Sequence, residues 1–253
     1  VTAAVPQPET ETEPASVPAP EPEPGPTPPP LLEAEGLSLV GPEGPVFTDV
    51  SFAVEPGRVT LLVGPAGTGR SSLLLALSGR MQGTTGLLRH HGRPVRSRRD
   101  LRNLRRASAV ARAAELVVPE ARLSVAESVA ERALLDGVRP AAAERAFVAA
   151  EELLDVRLDR TLLVEQLPAY EVTALCVALA LVRPAELVVL DDLDADLDLT
   201  DQRRLLDALV RLAGGSTGTG GTAGPAVVAT STEARATHPD ALLVPLAPPQ
   251  EDR

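Results

Sequence analysis

Lysine is absent: all 24 basic residues of this 253-residue chain are arginine. Chemistry that needs a lysine ammonium, a Schiff base above all, is thereby excluded. One cysteine, Cys176, and three histidines leave too few soft ligands for a Cys/His zinc cluster and no second thiol for an internal disulfide. Three Phe, one Tyr and no Trp argue against a surface that stacks single-stranded bases, so no nucleic-acid partner is expected. The longest apolar run, Val172 to Val182, is far short of the ~20 residues of a membrane span. The first residues offer neither the basic segment nor the apolar core of a secretory signal, and a cytoplasmic location is the expectation.

Hydrophobic residues make up 44% of the chain, ample for a packed core, and the length suits one large domain or two small ones. Residues 1–30 stand apart. They hold 11 of the 25 prolines and five Glu with no basic residue, a composition that favours extended polyproline II and buries too little apolar surface to fold. We read 1–30 as a disordered acidic tail, 31–246 as the globular domain and 247–253 as a short C-terminal tail. The net charge of −11 is uneven: the N-terminal tail carries −5, residues 80–112 carry +9 through ten arginines, and the remainder carries −15.

In the domain, Gly36–Val40 and Pro45–Val54 alternate like paired strands, and Arg58–Gly64 reads as a buried strand that enters a glycine loop and then a helix over 70–79. Ser124 with Glu127 has the pattern of a capping box opening one helix, and Pro140 opens another that runs to Leu154. Ala185–Asp192 is an aliphatic strand ending in two carboxylates, followed by a helix over 200–212. The glycine-rich 214–224 has linker composition, and Pro225–Ser231 reads as one more buried strand.

The strand–loop–helix junction carries the chemistry. Its loop, Gly64, Pro65, Ala66, Gly67, Thr68, Gly69, Arg70, Ser71 and Ser72, fits the phosphate-binding pattern GxxxxGK[ST] except that Arg70 replaces Lys. Glycines let the backbone curl so that successive N–H groups aim at phosphate oxygens, the helix adds its positive end, and Ser71 can ligate magnesium. Arg70 keeps the charge, but its planar fork is bulkier than an ammonium and fits less well between terminal phosphates. The alternative is a strand-to-helix turn that holds no ligand. Asp191, at the tip of the aliphatic strand, is a second candidate magnesium ligand, and Asp192 is a candidate water-activating base. A capped or solvated acidic turn is the competing reading, because Asp194, Asp196 and Asp198 crowd the same loop.

On these residues, the chain resembles the nucleotide-binding subunits of ATP-binding cassette (ABC) transporters. The likeness covers about Leu31 to Leu246. It rests on the phosphate loop, on LSVAESV at 123–129, and on the contiguous stretch Leu167–Asp198, which is similar to that family's signature, helix, Walker B strand and D-loop in one register. The resemblance implies an α/β P-loop NTPase fold with an ABC-type RecA-like mixed sheet, a helical subdomain at about 119–182 and a small antiparallel N-terminal sheet. It also implies ATP and Mg as cofactors, an integral membrane transport subunit as partner, and a second nucleotide-binding subunit in a homo- or heterodimer. Location would then be cytoplasmic, peripheral at the inner face of the plasma membrane.

The departures from that family predict weak turnover. The adenine-stacking aromatic is replaced by Gly41, and the magnesium-contacting glutamine by Ala111 or Arg112. The signature Ser-Gly-Gly-Gln becomes Pro168, Ala169, Tyr170 and Glu171: Pro168 has no N–H to give, Tyr170 adds bulk, and Glu171 brings negative charge to a phosphate site. Asp192 matches the catalytic glutamate with roughly 1.5 Å less reach, and Ser231 matches the switch histidine without its charge. Two further readings stay open. One is a regulatory or assembly module that does not hydrolyse ATP. The other is an NADP-dependent Rossmann enzyme, using the glycines as a dinucleotide fingerprint and Arg89 for a 2′-phosphate. The arginine segment 89–112 puts Arg98, Arg102, Arg105 and Arg106 near one helical face, suited to phosphate or acidic lipid, to plain solvation, or to the acidic tail folding back.

Overall fold

The computed structural model describes residues 29–113, 117–215 and 224–248. The tail assigned to 1–30, the linker at 214–224 and the C-terminal tail at 247–253 lie, apart from their edges, outside the described residues. The elements follow in order: β1 (Leu32–Gly41), β2 (Gly44–Val54), β3 (Val59–Val63), α1 (Arg70–Leu77), β4 (Thr85–His90), β5 (Arg93–Pro94), α2 (Arg98–Ala107) and β6 (Ser108–Arg112). Next come α3 (Val125–Asp136), α4 (Pro140–Leu154), α5 (Ala169–Ala180), β7 (Leu187–Leu190), α6 (Leu199–Gly214), β8 (Ala226–Ser231) and β9 (Ala241–Pro245).

The strands form two sheets. An antiparallel sheet runs β2-β1-β4-β5, and a parallel sheet runs β6-β7-β8-β3-β9. Period-two alternation sorts the parallel sheet's side chains onto two cores. Leu61, Val188, Leu190, Val227 and Ala229 face the helices α3 to α6, while Leu62, Leu187, Val189 and Val228 face α1 and the antiparallel sheet. Because both faces are covered, these strands read as continuous aliphatic runs.

Helix boundaries follow local chemistry. Ser124 and Glu127 form the expected capping box, with the Glu127 N–H donating to Ser124 Oγ at 3.2 Å and the Ser124 N–H donating to Glu127 Oε2 at 2.8 Å. Pro140 opens α4 as expected. Nine of the twelve residues of α5 are buried, which explains the apolar run over 172–182 as a core helix. Among the described residues, no helix is long and apolar enough to cross a membrane.

Candidate functional site

Three neighbouring parallel strands deliver the site at their C-terminal ends, where ligands of such sheets bind. Register pairs Val63 of β3 with Ser231 of β8, and Leu190 of β7 with Ala229 of β8. The loop at 64–69, the Thr230–Ser231 pair and the Asp191–Asp192 pair therefore meet at one rim.

The loop is shaped by close backbone approaches. Gly69 has φ +75°, and a Cβ there would lie 2.3 Å from the Val46 carbonyl oxygen of β2. Gly64 donates its N–H to the Ser231 carbonyl at 3.2 Å, and its Cβ would meet the Leu246 carbonyl oxygen at 2.7 Å. By contrast, nothing lies within 4 Å of a Cβ built on Gly67, so the mouth of the loop is open there. Thr68 closes the turn by donating its hydroxyl to the Pro65 carbonyl at 2.9 Å. Pro65 and Ala66 are exposed, and Ser71 and Ser72 sit half-buried in the first turn of α1.

Asp191 is fully buried, and its Oδ1 accepts the Thr230 hydroxyl at 2.6 Å. Thr230 Oγ1 in turn accepts the Asp192 N–H at 2.7 Å, which fixes the turn in which Asp192 adopts φ +47°. Asp192 Oδ1 receives Arg70 Nη2 at 3.3 Å. Burial and the neighbouring Asp191 charge push the Asp192 carboxyl above the usual carboxylate range, with Arg70 acting in opposition. Among the described residues, two buried side-chain polar atoms have no hydrogen-bond partner: Asp191 Oδ2 and Arg70 Nη1. One is an acidic acceptor and the other a cationic donor, and both belong to this rim. That donor set suits a divalent cation beside an anion: a hard carboxylate oxygen for Mg, and a guanidinium with loop amides for phosphate.

The structure also revises several expectations. Arg112, rather than the buried Ala111, reaches the site. It donates from Nε to the Asp191 carbonyl at 3.1 Å, from Nη1 to Thr173 Oγ1 at 3.0 Å, and from Nη2 to the Asp192 carbonyl. Tyr170 does not bulk the signature surface. It is buried, its ring lying under the Arg204 guanidinium at 4.1 Å and its hydroxyl donating to the Leu154 carbonyl. Pro168 caps α5 without a side-chain bond, Glu171 is half-buried in its first turn, and Gly41 faces Gly44 at the hairpin end. The Ser231 hydroxyl donates to the Glu233 carbonyl at 2.6 Å. Capping is the role of Asp198, whose Oδ1 accepts the Asp201 N–H at 2.9 Å, and not of the buried Asp191. Arg89 is held by Glu33 and Glu35 on β1, which removes the basis for a 2′-phosphate contact.

Sequence reasoning missed Thr230 and the linking role of Arg112. A hydroxyl inside the aliphatic run AVVATS and an arginine ending the buried run SAVAR were the available signals.

Comparison with known proteins gives the same architecture. The sequence model of the ABC transporter family matches residues 47–195. The cytochrome c biogenesis ATP-binding export protein CcmA of Cupriavidus pinatubonensis is 43% identical over 68 residues, covering 27% of this chain and 30% of that protein. The mycobactin import ATP-binding/permease protein IrtB of Mycolicibacterium smegmatis is 30% identical over 191 residues, covering 71% of this chain and 31% of that protein. The matches thus span less than a third of the length of either relative. In fold, cbiO1 from Clostridium perfringens, part of the ABC transporter complex cbiONQ, superposes with a TM-score of 0.64 at 17% identity over 81% of this chain and 79% of that one. With a glycine loop seated between β3 and α1 and a buried carboxylate at the tip of β7, the chain belongs to the ABC transporter family and has the P-loop NTPase fold.

Proposed function

We propose that the chain binds MgATP through Gly64–Ser72 and serves a membrane transport partner with impaired hydrolysis. The observation that carries this reading is the pair of partnerless buried atoms, Asp191 Oδ2 and Arg70 Nη1, flanking a loop whose mouth is open at Gly67. Backbone amides from Gly67 to Ser72 and the N-terminus of α1 would hold phosphate oxygens, while Asp191 and Ser71 would hold the magnesium. ATP supplies a transferable phosphoryl group when bound.

The chain's own groups argue for slow turnover. Asp192, the candidate base, is paired with Arg70, and it enters the site from a left-handed turn. Ser231 directs its hydroxyl to Glu233 and has no charge to offer. A base displaced by about 1 Å loses on the order of a hundredfold in rate. The same three facts favour a second reading, a regulatory or assembly module that binds ATP without hydrolysing it.

The membrane partner is inferred from the family and from one surface. Leu135 and Val118 are 75% and 57% exposed and line a groove of about 200 Å³ beside the end of β6. Such an apolar patch is typical of a protein contact. A second nucleotide-binding subunit, the same or different, and a peripheral position at the inner membrane face complete the proposal, with 31–246 as the cassette and about 119–182 as its helical part.

A MgATP binding isotherm and a steady-state ATPase assay test it. Saturable binding that Arg70→Ala weakens roughly tenfold or more, with turnover far below that of transport motors, is the expected result. Absence of binding refutes the nucleotide site, and motor-like rates with the native partner refute the impairment.

A further inference from the structure

Two of the chain's three histidines stand side by side at the end of β4, away from the nucleotide rim. Successive strand residues ordinarily point to opposite faces. Here the alternation breaks, because His91 adopts φ +49° while its N–H donates to the Leu31 carbonyl at 3.0 Å. The turn brings both rings to one side, with centroids 4.4 Å apart and planes tilted by 44°.

Both Nε2 atoms converge on a single oxygen. Glu186 Oε2 lies 3.1 Å from His90 Nε2 and 2.9 Å from His91 Nε2. Glu186 immediately precedes β7, and its backbone is fixed on both sides: its N–H donates to the Ala107 carbonyl at 2.7 Å, and its carbonyl accepts the Ala226 N–H at 2.8 Å. The carboxylate is thus presented from the parallel sheet and the imidazoles from the antiparallel sheet. The three ligand atoms all lie within 4.8 Å of one another.

We propose that His90, His91 and Glu186 form a binding site for a first-row divalent cation, Zn²⁺ foremost, with water completing the coordination. Ligands about 2.0–2.2 Å from a tetrahedral ion stand roughly 3.3–3.6 Å apart, so the two imidazole–carboxylate spacings of 3.1 and 2.9 Å need only small side-chain adjustments to accept it. Two imidazoles with one carboxylate are a donor set for zinc, copper or nickel rather than for magnesium or calcium, which take oxygen ligands. Neutral imidazole binds through a lone pair, so a ring proton held on Nε2 moves to Nδ1 as the ion enters, and no oxidant or reductant is involved. The ion would tie β4 to the N-terminal end of β7. Asp191 ends that same strand five residues on, about 16 Å away at strand rise, so this site is separate from the magnesium ligands proposed above. The spacing of 95 residues between His91 and Glu186 hid the site from any sequence motif.

The other reading of the cluster is a pair of neutral imidazoles hydrogen-bonded to a carboxylate, with no affinity for metal. Calorimetric titration of the untagged full chain with Zn²⁺ alone, without nucleotide, at pH 7.5 distinguishes the two. One Zn²⁺ per chain is expected. His91→Ala and Glu186→Gln, both at exposed positions, should each weaken it roughly tenfold or more, while His238→Ala leaves it unchanged. Co²⁺ should give the visible absorption of a tetrahedral site with the parent chain and lose it with the two ligand variants, whose circular dichroism stays that of the parent. No saturable Zn²⁺ binding, or equal affinity in the ligand variants, overturns the proposal.

Discussion

The guanidinium of Arg70, the first residue of α1, lies 3.3 Å from Asp192 Oδ1, just beyond β7, across 122 positions of sequence. The loop cation and the candidate base therefore face each other as opposite charges. A phosphate that draws Arg70 toward itself leaves Asp192 beside the negative Asp191, where its ionised form is disfavoured further.

That electrostatic strain gives a pH-dependent stability. Asp192 has its pKa raised by burial and by Asp191, so its ionised form costs the native state stability at pH above the folded pKa. The cost fades as pH falls to the unfolded value. Asp192→Asn should raise Tm at pH 7.5, and thermal melts across pH should show the gain vanishing near pH 4. A gain independent of pH would remove the charge as its cause.

Gly69 and Gly67 differ in a way that can be measured. Both have positive φ, but only at Gly69 does a Cβ collide with backbone, at Val46. Gly69→Ala should lower unfolding free energy by about 1–3 kcal/mol for the conformation, with the collision added, and should abolish MgATP binding. Gly67→Ala should be the milder change in urea denaturation. Equal losses would mean that the contact with Val46 is unimportant.

Arg112 joins β6, α5 and the end of β7 through three acceptors. Hydrogen bonds from a charged donor are worth about 1.5–3 kcal/mol each when buried, less where water reaches them, so Arg112→Met should cost roughly 2–4 kcal/mol. Arg112→Lys should recover less than half, because an ammonium cannot span three acceptors as a planar fork does. Chemical denaturation of the three proteins decides it.

Asp191→Asn tests the magnesium assignment. The amide oxygen can still accept the Thr230 hydroxyl, so the fold should persist. Affinity for ATP with magnesium should fall roughly tenfold or more, and affinity in EDTA should change little. Fluorescent-nucleotide titrations with and without chelator provide the measurement.

Much of this arrangement was legible in sequence. The loop spacing, the two carboxylates ending an aliphatic run and the capping box at Ser124 each follow from local rules, and each lies where those rules put it. The reading of Tyr170 as surface bulk failed because helical register says which face a residue is on, but not what packs there; Arg204, on another helix, gives the ring its place. Between Ala111 and Arg112 the sequence could not choose, since the choice depends on which side chain meets the Asp191 and Asp192 carbonyls just beyond β7.

The sequence by itself determined the strands β1 to β3, β7 and β8 with the helices α1, α3, α4 and α6 in order, the glycines that allow the loop to curl, and the positions able to carry charge, but not the strands β4, β5, β6 and β9. Those are set by backbone sterics, hydrophobic period and residue type, all of which act locally. Only the tertiary structure decided that Arg70 faces Asp192, that Ser231 turns to Glu233, and that His90 and His91 meet Glu186. The first and third are pairings between groups far apart in the chain, which the packing of the elements brings together, and the second is a turn just after β8.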